Sequence, residues 1–248
     1  MSGREADRRG ADEREAIAAR YARRDAGSRY SLLNPDVWQA TQERQRALLM
    51  LFRTLGWNDL AQRRLVEVGC GEGANLLELL RMGFAPENLA GIELLPARAA
   101  GARRVLPAAV AVHAGDASTI ELEAASQDVV YAATVFSSIL DPAFQEHLAA
   151  AMWRWVRPGG GVLWYDFTVD NPRNADVRGV PRARLAALFP GGEVRARRLT
   201  LAPPLARAVT RIHPALYTAF NCVPVLRTHL LAWIAKRGPG RDAAAART

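Results

Sequence analysis

Residues 64–73 decide the fold, and they read Arg-Leu-Val-Glu-Val-Gly-Cys-Gly-Glu-Gly. The apolar first half predicts a short buried strand, and the apolar spacing of residues 74–81 predicts a helix directly after it. The glycines between them allow a sharp turn and let a ligand approach the backbone without Cβ interference. The stretch therefore predicts a strand, a Gly-rich turn and a helix N-terminus with free N–H groups for a ligand.

Strands and helices keep alternating after this turn. Strands are predicted at 89–94, 110–115, 128–134 and 161–167, and helices at 96–105 and 143–156. Beyond residue 167 the pattern predicts a helix at 181–189 and strands at 194–199 and 228–234. Strands separated by helices imply crossover connections, so we expect an α/β fold in three layers: a mostly parallel sheet with helices on both faces.

Composition excludes several classes of protein. Half of the 248 residues are hydrophobic, enough for a substantial core, yet no apolar run approaches the ~18 residues of a membrane span. The N-terminus has no apolar signal-peptide core, so we expect a cytoplasmic protein. Cys70 and Cys222 are the only cysteines and form no CxxC pair, which argues against a disulfide framework or a cysteine zinc site.

The net charge of +8 comes almost entirely from arginine, because Lys236 is the only lysine. Residues 178–211 carry a cluster of arginines opposed only by Glu193. Such a segment could attract an anionic acceptor, a phosphate or an acidic membrane surface, and it could equally be a solvated basic face.

The glycine pattern alone is a weak signal, because Gly69-x-Gly71-x-x-Ala74 also satisfies the looser dinucleotide fingerprint. Two acidic residues at the ends of the next strands sharpen it. Glu93 ends the second predicted strand, where a carboxylate can accept from two ribose hydroxyls, and Asp116 follows the third, where it can accept from an adenine amino group. An adenosine laid across the carboxyl edge of the sheet requires this arrangement.

An acid also precedes the first glycine by two positions. Glu67 could hold a cationic part of the ligand there, directly or through water, or it could simply cap the helix.

Over residues 64–167 the chain resembles the class I S-adenosylmethionine-dependent methyltransferases. The motifs that carry the resemblance are Val-Glu-Val-Gly-Cys-Gly-Glu-Gly (66–73), Gly-Ile-Glu (91–93), Gly-Asp-Ala (115–117), Asp-Val-Val-Tyr-Ala (128–132) and Trp-Val-Arg-Pro-Gly-Gly-Gly (155–161). The resemblance implies a Rossmann-like, seven-stranded sheet of order 3-2-1-4-5-7-6 with an antiparallel seventh strand, which residues 228–234 would supply. Residues 165–178 and 226–236 also resemble bacterial methyltransferases found beside glycan and natural-product pathways.

The resemblance further implies S-adenosyl-L-methionine as the cofactor. Its predicted contacts are Glu67, Gly69, Cys70, Gly71, Gly73, Asn75, Glu93, Leu94, Asp116, Ala117, Ala133 and Thr134.

We expect one methyltransferase domain at residues 28–237, between a flexible charged N-terminal tail (1–27) and a flexible C-terminal tail (238–248). Within it, residues 28–60 are predicted to form an N-terminal helical lid, whose helix starts at Asn34-Pro35-Asp36. Residues 200–225 are predicted to be an inserted helical segment that shapes the acceptor pocket, because long insertions in a compact sheet tend to carry function.

Transfer to oxygen or carbon usually needs a base, and the predicted catalytic residues are His213 and Asp166. His229 and Tyr165 are further candidates for the base, and His229 is expected to be a hydrogen-bonded core histidine. The predicted substrate-binding residues are Tyr30, Arg173, Arg178 and Tyr217. The two arginines could clamp a carboxylate or phosphate.

No metal is expected. Catechol-type relatives hold magnesium with an Asp after strand four and an Asp-Asn after strand five; Asp170-Asn171 resembles the second part, but Ala133-Thr134 replaces the first.

The leading hypothesis is O-methylation of a small biosynthetic intermediate such as a sugar or natural-product precursor, and the arginines favour an anionic one. The Asn/Asp-Pro-Pro-aromatic signature of nitrogen methylation is missing after strand four, where the chain reads Ala-Ala-Thr-Val-Phe-Ser-Ser (132–138). An RNA methyltransferase, a nicotinamide oxidoreductase and a non-catalytic cofactor-binding partner protein remain alternatives. Nucleic acid is an unlikely partner because no RNA-binding module is recognisable, and the apolar stretch 216–226 could form a homodimer contact.

Overall fold

The computed structural model describes residues 3–23, 28–171 and 174–238. In these residues seven strands form one sheet of order β3-β2-β1-β4-β5-β7-β6, in which β7 is antiparallel to both of its neighbours. This confirms the fold class and the strand order expected from the sequence. The strands are β1 (Leu65–Val68), β2 (Leu89–Glu93), β3 (Ala111–Ala114), β4 (Gln127–Ala133), β5 (Val156–Phe167), β6 (Glu193–Leu201) and β7 (Arg227–Ala235).

Helices cover both faces of the sheet. They are α1 (Gly3–Arg23), α2 (Pro35–Thr54), α3 (Ala74–Met82), α4 (Pro96–Val105), α5 (Pro142–Trp155), α6 (Arg182–Leu188), α7 (Pro203–Ile212) and α8 (Ala215–Asn221). Short 3-10 turns lie at Ser28–Tyr30, Pro86–Asn88, Phe136–Ser138 and Pro224–Leu226. Within the described part of the chain, no helix is both long and apolar enough to span a membrane.

Alternation along the strands builds two separate cores. On one face Val66, Val130 and Trp164 pack against α1, α5 and α6. On the other face Leu65, Tyr131 and neighbouring residues pack against α2, α3 and α4. Because successive side chains of a strand point to opposite faces, one apolar strand serves both cores, which explains the nearly continuous burial of β1 and β4.

The Arg-Pro-Gly-Gly-Gly motif lies inside β5, which begins five residues earlier than the strand predicted at 161–167. Arg157 contacts the carboxylate of Asp128 at 2.5 Å, and Arg63 contacts the same oxygen at 3.0 Å. A Cβ on Gly160 would lie 2.6 Å from the Asp128 carbonyl oxygen, so only glycine allows this approach. The motif therefore fastens the start of β5 to β4, at the end of the sheet opposite the Gly-rich turn.

The described part of the predicted flexible N-terminal tail, residues 3–23, is helical. Gly3–Arg23 forms helix α1, Ile17 is buried in the core, and Arg20 donates to Glu13 and to the Ser138 carbonyl. The charged composition hid this helix, because its stabilising contacts are made with loops more than 100 residues away. Residues 1–2, 24–27 and 239–248, which complete the two predicted tails, lie outside the described residues.

The segment between β6 and β7 contains α7 and α8, which lie within the insert predicted at residues 200–225. Its helices α7 and α8 pack on the start of α2 in a small separate core built around Tyr217, Ala206, Val209 and Ala40. The insert is therefore held by α2 as well as by the sheet.

Candidate cofactor and acceptor site

The Gly-rich turn between β1 and α3 has a backbone that favours glycine. Gly69, Gly71 and Gly73 have φ angles of +68°, +57° and +88°, in the left-handed region. The N–H groups of Gly69 and Cys70 donate to the Ile92 carbonyl at 2.8 and 3.1 Å, which ties the turn to β2. The turn therefore lies at the carboxyl edge of the sheet, beside the end of the next strand.

Glu93 holds this turn from the end of β2. Its side chain is buried and accepts from the Gly71 N–H at 2.8 Å and from the Leu95 N–H at 2.9 Å. A carboxylate has about four acceptor positions, so two remain for hydroxyl donors. The Arg98 guanidinium lies 4.0 Å from the carboxylate and stacks over Tyr21 of α1. Glu93 thus shapes the turn and still has acceptor capacity on the ligand side.

Glu67, the acid before the turn, is fully buried. One oxygen accepts from Asn75 at 2.6 Å, and the other, Oε2, has no hydrogen-bond partner. Burial raises the pKa of Glu67 to about 8, although the Asn75 hydrogen bond and the Arg44 charge act in the opposite direction. A buried acceptor without a partner is costly, so this oxygen is ready to receive a donor or a cation from a ligand.

Arg44 of α2 connects Glu67 to a wider buried polar cluster. It donates to the Asn75 amide oxygen at 2.8 Å, lies 3.5 Å from Glu78 and stacks over Tyr165. Burial by itself would lower the pKa of this guanidinium, but the acidic groups around it, Tyr131 first, raise the pKa above its usual value. Arg44 therefore keeps its charge next to the Gly-rich turn.

Asp116 follows β3, and its carboxylate is contacted by helix α1. Arg14 of α1 donates to Asp116 Oδ2 at 2.8 Å, and the Ser118 N–H donates to Oδ1 at 2.8 Å. The acid predicted to accept from an adenine amino group is therefore already paired with an arginine from α1.

A cleft of about 120 Å³ runs along this edge beneath α1. Seven of the predicted cofactor residues line it, namely Gly69, Glu93, Leu94, Asp116, Ala117, Ala133 and Thr134. Glu67, Cys70, Gly71, Gly73 and Asn75 do not line it and lie in or under the turn. Apolar side chains close the rest, among them Ile17, Ile139, Phe144 and Leu148. The predicted lid, residues 28–60, contributes no lining residue; α1 covers the cleft instead.

The loop after β4 forms the wall nearest β5. Thr134 has a φ of +55°, unusual for a β-branched residue, and its N–H donates to the Tyr165 carbonyl at 2.7 Å. Asp166 lies under the same loop, where Oδ2 accepts from the Ser137 N–H and Oδ1 from the Phe167 N–H. Burial raises the pKa of Asp166 to about 6 against the lowering effect of these hydrogen bonds. Asp166 therefore fixes the loop beside the cleft.

A second polar cluster joins α2 to the insert, with Glu43 at its centre. Glu43 accepts from the Tyr217 hydroxyl at 2.8 Å, from the Asn221 amide at 2.7 Å and from the Thr200 N–H at 3.2 Å. Thr200 has a φ of +65°, and its hydroxyl lies 2.6 Å from that of Tyr165. We name these five residues the Glu43 cluster; it links the insert to β5 and β6.

The predicted catalytic and substrate residues are spread apart. His213 is exposed between α7 and α8, where its Nδ1 accepts from the Ala215 N–H, and Tyr30 is 69% exposed. Tyr217 is buried with its hydroxyl on Glu43, and Arg178 is exposed while its N–H donates to the Ser137 carbonyl. None of these four lines the cleft, and Arg173 lies outside the described residues.

His229 lies in β7 with its ring stacked on Tyr165 at 4.8 Å and its Nδ1 3.1 Å from the Thr228 hydroxyl. Burial lowers the pKa of His229 to about 3, so the ring is neutral. Its position in a buried, hydrogen-bonded core site is the one expected from the sequence.

Sequence reasoning missed Arg14, Arg98, Arg44 and Glu43. The signal for Arg98 was available, since it follows Glu93 within the first turn of α4. The other three are charged residues on helices that precede the motif, and nothing in the local pattern links them to the sheet edge.

Known proteins resemble the chain in this same region. Residues 65–160 match the family model described as a methyltransferase domain. Over 142 residues the chain is 33% identical to the phthiotriol/phenolphthiotriol dimycocerosates methyltransferase 1 of Mycobacterium ulcerans (strain Agy99). The aligned part covers 55% of the chain and only 51% of that relative, so the chain spans about half of the relative's length.

Solved structures share the fold at low sequence identity. A putative sarcosine dimethylglycine methyltransferase from Galdieria sulphuraria superimposes with a TM-score of 0.60 at 14% identity, covering 82% of this chain and 89% of that one. The geranyl diphosphate C-methyltransferase of Streptomyces coelicolor A3(2), solved with Mg²⁺, geranyl diphosphate and S-adenosyl-L-homocysteine, has a TM-score of 0.56 at 15% identity, covering 76% of this chain and 77% of that one.

The strand order, the acids at three successive strand ends and the family match agree with one another. Residues 65–160 are thus similar to a methyltransferase domain, and they lie in a sheet of order 3-2-1-4-5-7-6.

Proposed function

We propose that the protein is an S-adenosylmethionine-dependent methyltransferase that methylates an oxygen atom of a small biosynthetic intermediate. The observation that carries the proposal is the arrangement of Glu67, Glu93 and Asp116 at the ends of β1, β2 and β3, around a glycine turn in the left-handed conformation. These acids offer acceptors in the order that a methionyl ammonium, a ribose and an adenine require.

The residues present fit this cofactor. Glu67 lies under the turn and outside the cleft lining, so its unpaired Oε2 would receive an ammonium group through a water molecule. Glu93 keeps two acceptor positions for hydroxyls. Leu94, Ala117 and the other apolar lining residues suit a purine ring. When bound, S-adenosylmethionine supplies a methyl group already activated by its sulfonium.

With an activated methyl group, the chain has to orient the reactants and exclude water. Phe144 and Ile139 give the cleft an apolar wall, and α1 covers it with Ile17. Thr134, fixed by Tyr165, sets the backbone of the wall that faces β5. These contacts hold a reacting pair in one geometry at low water content.

An oxygen acceptor requires a base, and Asp166 and His213 are our candidates. Asp166 lies beside the cleft-wall loop, and its raised pKa of about 6 suits proton transfer near neutral pH, although backbone N–H groups already occupy both oxygens. His213 has an exposed ring on the insert, so it would have to act through movement of the insert. The relative from Mycobacterium ulcerans is named for phthiotriol and phenolphthiotriol acceptors, which favours a hydroxyl acceptor here too.

Calorimetric titration with S-adenosylhomocysteine, beside NAD, tests the cofactor. Micromolar binding of S-adenosylhomocysteine and no binding of NAD is the expected result. Gly71→Arg should abolish it, because Gly71 has a φ of +57°, where an L residue is strained, and the new side chain would stand in the ligand-binding turn. Gly191→Arg is the matched control, since Gly191 has a φ of +80° with no atom within 4 Å of its Cβ position. Absence of binding by well-folded protein would remove the methyltransferase proposal, and NAD binding would support an oxidoreductase.

Acceptor charge is tested by neutralising the arginines after β5. If the acceptor is anionic, Arg173→Ala/Arg178→Ala should raise the acceptor KM about tenfold and leave S-adenosylhomocysteine affinity unchanged. An acceptor found by mass-shift screening provides the assay. Unchanged acceptor kinetics would show that these arginines do not bind the acceptor.

A further inference from the structure

Exposed apolar side chains are concentrated at one end of the molecule. Of the thirteen large hydrophobic residues that are exposed in the described part of the chain, eight lie in residues 30–38 and 212–225. The most exposed are Leu33 at 93%, Ile212 at 79% and Val225 at 76%. Single exposed apolar residues are ordinary, but a concentration of this kind marks a surface that binds another molecule or a membrane.

The two segments are neighbours in space. Ala40 of α2 packs against α7 in the small core around Tyr217, and Glu43 of the same helix binds Tyr217 and Asn221 of α8. At ~1.5 Å per residue, Ala40 lies about 9 Å along the helix from Asn34, where the exposed loop begins. We call residues 30–38 and 207–225 together the insert surface.

The insert surface carries two arginines, Arg207 and Arg211, and one acid, Asp36, and the chain that flanks its α7–α8 part is strongly basic. Residues 194–238 contain eight basic residues and no acidic residue. On α7, Ala206 and Val209 face inward, while Arg207 and Arg211, one turn apart, lie on the outer side next to Ile212. Neither arginine has a hydrogen bond or ion pair to another described residue. An amphipathic helix with arginines beside exposed aliphatic side chains is the composition of an interfacial membrane contact.

We infer that the insert surface docks the protein on an anionic lipid bilayer. Charge decides between possible occupants. In a twofold dimer the same patch would face itself, so each copy would bring two arginines and a single acid, Asp36, and the contact would keep a net positive charge. RNA would satisfy the arginines but would leave Leu33, Ile212 and Val225 without an apolar partner. Acidic headgroups above acyl chains complement both features.

Docking would also let the enzyme take an amphiphilic acceptor directly from the bilayer. This consequence rests on the proposed function, whereas the docking itself does not. The insert surface adjoins the Glu43 cluster, which links it to β5 and hence to the wall of the cleft.

Vesicle co-sedimentation of the full chain is the test. We expect binding to vesicles of phosphatidylglycerol and phosphatidylcholine, little binding to phosphatidylcholine alone, and weaker binding at high salt. Ile212→Ser/Val225→Ser and Arg207→Glu/Arg211→Glu should each lower the partition coefficient about tenfold or more. The matched controls are Leu49→Ser/Met50→Ser, exposed farther along α2, and Arg53→Glu/Arg81→Glu, two exposed arginines elsewhere; both should bind like the parent protein.

Failure to bind anionic vesicles, or equal losses in the control variants, would overturn the inference. Loss in the arginine variant with none in the apolar variant would also overturn it, since a polyanion contact such as RNA would then suffice. A dimer that dissociates in Ile212→Ser/Val225→Ser, without vesicle binding, would assign the surface to a second copy. S-adenosylhomocysteine titration of the same variants keeps the two proposals apart: intact binding without vesicle binding rejects only the docking, and the reverse rejects only the methyltransferase activity.

Discussion

The carboxyl edge of the sheet that carries Glu67 and Glu93, here called the donor edge, and the Glu43 cluster hold their polar groups in opposite ways. At the donor edge, Glu67 binds Asn75 eight residues away, and Glu93 binds the backbone of Leu95 and Gly71, 2 and 22 residues away. In the Glu43 cluster, one carboxylate receives donors that are 157, 174 and 178 residues distant. The first site depends on a short piece of chain, and the second exists only when α2, β6 and α8 have come together.

The difference separates binding from architecture. Glu93 keeps acceptor positions for a ligand and uses backbone N–H groups as partners, so its geometry is set by the turn. Glu43 receives all of its hydrogen bonds from within the protein. Substitutions at the donor edge should therefore change ligand affinity, and substitutions in the Glu43 cluster should change stability.

The largest expected effect is that of Glu93→Ala on donor binding. The variant loses the acceptor for the Gly71 N–H and the carboxylate for two ribose hydroxyls, so we expect S-adenosylhomocysteine affinity to fall at least about 100-fold. Glu72→Ala, an exposed acid in the same turn, is the control. Calorimetry measures both, and a loss below about threefold for Glu93→Ala would end the assignment of the ribose site.

Glu43→Ala should lower the stability of the protein and leave donor affinity nearly unchanged. The variant leaves the Thr200 N–H, the Tyr217 hydroxyl and the Asn221 amide without their acceptor, so we expect the free energy of unfolding to fall by about 2 kcal/mol. Chemical denaturation measures the loss, with the exposed Glu87→Ala as control. Donor affinity should change less than about threefold; a larger change would mean that the cluster is part of the donor site.

The pH dependence of donor binding should reveal the protonated Glu67. The pKa of Glu67 is raised from 4.5 to about 8, so at pH 7 the side chain of the free protein is neutral. A ligand ammonium needs the ionised form, so binding should release a proton, and affinity should rise about tenfold per pH unit up to about pH 8. Titrations in buffers of different ionisation enthalpy measure the released proton, and Glu67→Gln should show neither effect.

The raised pKa of Glu67 also sets the direction in which the free energy of unfolding changes with pH. A carboxyl group whose pKa is higher in the folded state binds its proton more tightly there, so the free energy of unfolding should fall as the pH rises from 4.5 to about 8. Glu67→Gln should flatten this part of the curve. An unchanged slope in the variant would show that Glu67 does not cause it.

The smallest expected effect comes from Arg14→Ala. The ion pair with Asp116 is partly exposed, which limits its strength, and Arg14 occupies the oxygen predicted to accept from the adenine amino group. We therefore expect S-adenosylhomocysteine to bind about twofold to threefold more tightly to the variant. The control is Arg23→Ala, which lies on the same helix as Arg14 and removes an exposed ion pair with Asp176. Weaker binding would instead make α1 a contributor to the donor site.

The sequence by itself determined the donor edge and the positions of the strands along the chain. Apolar runs separated by helical spacing define the strands, and glycines with left-handed φ angles at positions 69, 71 and 73 are required by a turn that spans only five residues. Such features depend on contacts close along the chain, so their pattern is visible in the linear sequence. The order of the strands in the sheet came from the family resemblance.

Only the tertiary structure decided the position of α1, the pairing of Arg14 with Asp116 and the Glu43 cluster. Composition argued for a flexible tail at residues 1–27, and no local pattern joins Glu43 to Thr200 or Tyr217. Thr134 and Thr200 adopt left-handed conformations that their own preferences oppose, because the Tyr165 backbone and hydroxyl hold them there. Contacts over more than 100 residues arise from the packing of whole elements, and the hydrophobic pattern of a single element does not encode them.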